Sequence, residues 1–110
     1  MSQELNDPIK EKLASFSILK FKMKTCSQTT VVGLLGRELV KYIHPFELTR
    51  SNGNWDFFIK STSIKDSNLE FNNLTLEEVS ELIYSFKKNF NSREQDMREL
   101  LIMQLKRLIR

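Results

Sequence analysis

The sequence predicts an α+β domain: a small mixed or antiparallel sheet of three to four strands, in the order β-α-β-β(-β)-α-α, covered by helices on one face. Three observations predict it. Between Phe16 and Lys24 apolar residues alternate with lysines, the period of a half-buried strand. Asn52-Gly53 stands between two alternating runs, the favoured centre of a tight hairpin turn. From Thr75 onward apolar residues return every third and fourth position, the period of a one-sided helix.

Residues 1–15 form a leading segment with a short helix, in which Asp7 caps and Pro8 occupies the first turn, where its missing N–H costs nothing. Residues 16–74 hold the sheet and one crossing helix. Leu19, Phe21 and Met23 point to one side of the first strand, and Lys20, Lys22 and Lys24 to the other. Ser27 caps a helix running to about His44, where Pro45 stops it. Val32, Leu35, Gly36, Leu39, Val40 and Ile43 fall on one face of that helix. Gly33 and Gly36 imply close backbone approach, since each glycine costs a helix about 1 kcal/mol against alanine.

Counting outward from Asn52-Gly53 pairs Arg50 with Trp55, Leu48 with Phe57 and Phe46 with Ile59 on one face. Thr49 with Asp56 and Glu47 with Phe58 fall on the other, so Phe58 is an aromatic on the nominally wet side. Leu69 and Phe71 extend the alternation toward a further strand within 61–74.

Residues 75–110 hold two helices. Thr75 and Glu78 form a capping box, and Leu76, Val79, Leu82, Ile83, Phe86 and Phe90 line one face. Asn91-Ser92 breaks the helix and caps the next. In the last helix Met97, Leu100, Leu101, Leu105 and Leu108 share one face, while Ile102 and Ile109 add a second stripe through Leu105. The apolar arc becomes about 200° wide, about twice what a monomer's surface helix needs. A homodimer follows as an expectation, with Arg98, Ile102, Leu105 and Ile109 at its interface.

Composition limits the function. At 110 residues, 40% apolar and 28% charged, the chain is a single folded domain rather than a disordered one. The charge of +3 is spread along it, so nucleic-acid binding is permitted without being demanded. No charge-free run approaches a membrane span, and no membrane association is expected. One cysteine, Cys26, and a charged N-terminus without a signal-peptide core favour a cytoplasmic location.

Chemistry has little to stand on. One histidine and one cysteine cannot build a zinc site of those ligands, and no nucleotide or cofactor fingerprint is present. Gly33-Leu34-Leu35-Gly36 has the spacing of loops that clamp nucleic-acid backbones, but leucines replace the basic residues between the glycines. No metal, no cofactor and no catalysis are expected. The sequence favours a small non-enzymatic regulatory or adaptor protein that binds a protein partner through Trp55 and Phe58. The alternative is a nucleic-acid-binding regulator using Lys20, Lys22 and Lys24.

Overall fold

A computed structural model describes residues 5–26, 28–38, 41–62, 67–88 and 96–108. The class is α+β. The order is α1 (Asp7–Leu13), β1 (Phe16–Met23), β2 (Thr30–Arg37), β3 (Tyr42–Ser51), β4 (Asn54–Ile59), β5 (Leu69–Leu74), α2 (Leu76–Tyr84) and α3 (Met97–Arg107). The sheet has five strands rather than three to four, and they lie side by side in chain order. Every pair is antiparallel, so the chain simply turns back at each strand end and no crossover occurs.

The hairpin is the most local feature and the most legible. Phe46 faces Ile59, Leu48 faces Phe57 and Arg50 faces Trp55, the register that the turn dictates. Asn52 and Gly53 both adopt positive φ, at 53° and 82°.

The crossing helix expected over 27–44 is corrected. Residues 30–37 are β2, and β3 begins at Tyr42. Val31, Gly33 and Leu35 face the helices, while Val32, Leu34 and Gly36 face away. A strand apolar on both faces is a continuous apolar run, which the three-and-four spacing of a helix can imitate. Thr30, Val31 and Val32 are β-branched and favour the extended form.

Pro45 therefore terminates nothing; it lies inside β3. Its carbonyl accepts from the Lys60 N–H at 2.9 Å, and its missing N–H leaves the Lys60 carbonyl short of the reciprocal bond. The His44 ring supplies it. Nδ1 lies 3.1 Å from the Lys60 oxygen, and because a carbonyl only accepts, Nδ1 carries the proton. His44 is buried, with its ring edge-on to Phe16 at 5.0 Å.

A bulge in β1 alters the expected split of faces. The register shifts between Ile18 and Lys20, so Ile18 joins Phe16 in the core and Leu19 lies over Gly36. The expected alternation holds only beyond the bulge, from Lys20 to Lys24.

The core fills the space between one sheet face and the helices. Phe57 is its centre, 5.6 Å from the Phe46 ring and 5.9 Å from Phe86. Asn6, rather than Asp7, caps α1 through the Ile9 N–H at 3.0 Å. The capping box of α2 is present: Thr75 Oγ1 accepts from the Glu78 N–H, and Glu78 accepts from the Thr75 N–H. The Asn91-Ser92 break and Phe90 lie outside the described residues.

Both ends of α3 are held by arginines. At its start Asp96 caps the helix, accepting the Arg98 N–H at 3.0 Å. Arg98 returns a two-pronged bond to the Asp96 carboxylate, with Nη2 2.6 Å from Oδ2, while Nη1 donates to the Tyr84 and Phe86 carbonyls at the end of α2. At the other end Arg50 on β3 donates to the Leu108 carbonyl at 2.7 Å.

This arrangement takes Ile102 and Leu105 out of the expected dimer interface. Ile102 is 5% exposed and Leu105 is fully buried, both in the core of the single chain. Arg98 is spent on internal capping. α3 packs against both α2 and β1, so a wide apolar arc is used within the one chain. Ile109 lies outside the described residues.

Candidate functional site

The open face of the sheet offers what the helical face does not. Register places two parallel rows of side chains across it. One row runs Lys22, Val32, Glu47, Phe58 over β1 to β4. The other runs Lys20, Leu34, Pro45, and its last pairing continues through Pro45 to Lys60. Together they line a groove of about 570 Å³.

Each element contributes for a stated reason. The β1 bulge turns Lys20 and Lys22 onto this face and opposes them to Leu34 and Val32. The doubly apolar β2 supplies the floor. The hairpin fixes Phe58 beside Glu47. Beneath the floor, Gly33 allows close packing: a Cβ there would stand 2.3 Å from the Lys20 carbonyl oxygen and 2.5 Å from the Phe46 ring. The groove follows from backbone choices in three strands.

Its charge is mostly positive. Lys20, Lys22 and Lys60 stand exposed at the rims. Glu47 is the acid within it and is already engaged, 3.8 Å from Lys24 and accepting from Thr49 Oγ1 at 3.4 Å. Glu70 on β5 lies beyond Phe58, at the far edge of the sheet.

The residues singled out from sequence separate accordingly. Phe58 lies in the groove, but Trp55 is 1% exposed and belongs to the core, so it presents no contact surface. The register already implied this, since Trp55 shares a face with Phe57. Lys20 and Lys22 are brought together, whereas Lys24 is turned to Glu47. Cys26 is free and exposed in the turn after β1. Among the described residues no three His, Cys, Asp or Glu side chains gather as metal ligands, and no helix is long and apolar enough to cross a membrane.

Val32, Leu34, Pro45 and Lys60 are among the groove residues that the sequence did not disclose. All but Lys60 fell in or beside the stretch assigned to a helix. The usable signal was the two-faced apolar run from Val31 to Leu35, more than a strand covered on one side requires.

Fold and site together define a small α+β domain, an antiparallel meander with helices on one face and a lysine-rimmed apolar groove on the other. No protein-family model, curated protein or solved structure matches the chain.

Proposed function

We propose that this chain is a non-catalytic binding module, regulatory or adaptor in type, that holds a protein partner on the open face of its sheet. One observation carries this reading: Val32, Leu34, Pro45 and Phe58 form an apolar floor uncovered by any described element, while the opposite face has its full layer of helices. Contiguous exposed apolar surface rimmed by polar residues marks interaction sites. The single free cysteine suits a reducing compartment such as the cytoplasm.

Nucleic-acid binding is the second reading, favoured by Lys20 and Lys22 beside Phe58. It is the weaker one, because an aliphatic floor gives phosphates nothing to bind and one aromatic gives little stacking. Ile102 and Leu105 are interior in the single chain, so neither offers a surface for self-association through α3.

The test is affinity capture from native lysate with wild type, a Leu34→Glu/Phe58→Glu variant and Met103→Glu, which alters an exposed residue of α3. A protein captured by wild type and Met103→Glu but lost from the groove variant is the expected result. Capture that ignores the groove substitutions overturns the reading.

A further inference from the structure

We infer that the groove is shaped for an amphipathic α-helix bearing acidic residues along its flank, an inference that rests on the protein-binding reading above. Size is the first argument. The groove spans β1 to β4, three interstrand steps of about 4.8 Å, or about 14 Å across. A helix with its side chains is about 10–12 Å wide. Helices are also the usual second layer on a sheet face, as α2 and α3 already are on the other side.

Charge is the second argument. Lys20 and Lys60 stand at opposite ends of the Leu34–Pro45 row, and Lys22 ends the Val32 row. A leucine-rich stripe laid on that floor would bring its flanking carboxylates to these ammonium groups. Glu47 would not repel them strongly, being already paired with Lys24. Glu70 lies beyond Phe58 at the end of the Val32 row, so on the β4 side a carboxylate is favoured beside Lys60 rather than beside Phe58.

The same charges disfavour a second copy of this chain as the occupant. Two-fold packing of this face on itself would bring the lysine rim of one copy against the lysine rim of the other. An extended peptide would fill a single row, whereas apolar side chains stand in both, Leu34 and Pro45 in one and Val32 and Phe58 in the other.

Fluorescence anisotropy on the full chain tests this with three labelled probes. One is an amphipathic helical peptide of about 18 residues, about 27 Å long, with leucines on one face and glutamates flanking them. The second carries lysines in place of the glutamates, and the third is oligothymidine. The glutamate peptide is expected to bind at least about ten-fold more tightly than the other two, and to weaken as salt rises. A Lys20→Glu/Lys22→Glu/Lys60→Glu variant, altered only at exposed positions, is expected to melt like wild type and to reverse the preference.

Equal binding of both peptides, lost in Leu34→Glu/Phe58→Glu, overturns the acidic preference and leaves the groove as a protein site. Tighter binding of oligothymidine than of either peptide overturns both in favour of nucleic acid. If wild type binds neither peptide, the helix inference fails. The capture experiment then decides separately whether the protein-binding reading falls with it.

Discussion

Gly33 shows how one missing side chain shapes both faces of the sheet. A methyl group there would meet the Lys20 carbonyl, which is backbone and cannot turn aside, as well as the Phe46 ring. Gly33→Ala should therefore lower stability by about 1–3 kcal/mol in urea denaturation, the usual cost of overpacking. Gly36→Ala should cost less, because its nearest neighbour is the end of the Leu19 side chain, which has other rotamers. Equal effects at the two glycines would mean that Lys20 does not approach Gly33 as described.

Asp96 carries a pH dependence. The side-chain hydrogen bonds from Arg98 hold its carboxyl below the ordinary value of 3.8; burial opposes the shift and the Arg98 N–H reinforces it. The folded protein thus releases this proton more readily than the unfolded chain. The stabilisation is complete above the unfolded value and drains away as pH falls through the lower folded one. Urea midpoints measured from about pH 6 downward should fall more steeply below about pH 4 for wild type than for Asp96→Asn. Parallel acid limbs would show that the Asp96–Arg98 pair contributes nothing to that dependence.

At the level of elements, legibility followed locality. The β3–β4 register could be counted from Asn52-Gly53, because a two-residue turn fixes every pair that follows. The capping box at Thr75 was equally readable, since all its partners lie within four residues. The β2 strand was not. Its identity depends on Leu48, Phe46 and His44 across one edge and Met23, Phe21 and Ile18 across the other, none of which is close in sequence. The bulge after Ile18 was hidden for the same reason, and with it the grouping of Lys20 with Leu34.

α3 illustrates a different limit. Periodicity correctly places Leu101 and Leu105 on an apolar face, but it cannot count how many neighbours a helix has. Its C-terminal tie comes from Arg50, 58 positions earlier in the chain than Leu108. Arg50→Met keeps the aliphatic stem and removes the donor, so it should cost about 1–3 kcal/mol, with hydrogen exchange accelerated in the last turn of α3. Unchanged exchange there would mean that the cap does not hold the helix end.

For the whole molecule, the buried core and the proposed binding groove occupy opposite faces of one sheet. Ile102→Glu would place an unpaired charge in the core, at a cost comparable to the about 5–15 kcal/mol that holds a domain together. The variant should fail to fold at any protein concentration. A folded Ile102→Glu with half the wild-type mass in light scattering would instead restore the dimer. Leu34→Glu/Phe58→Glu lies on the open face and should melt within a few degrees of wild type.

The most direct measurement is NMR shift mapping of the full chain as the captured partner is added. Resonances of Val32, Leu34, Phe58 and Lys60 should move, while those of Ile102 and Leu105 stay in place. Changes confined to the outer side of α3, around Met103, would contradict the assignment of the open sheet face as the contact surface.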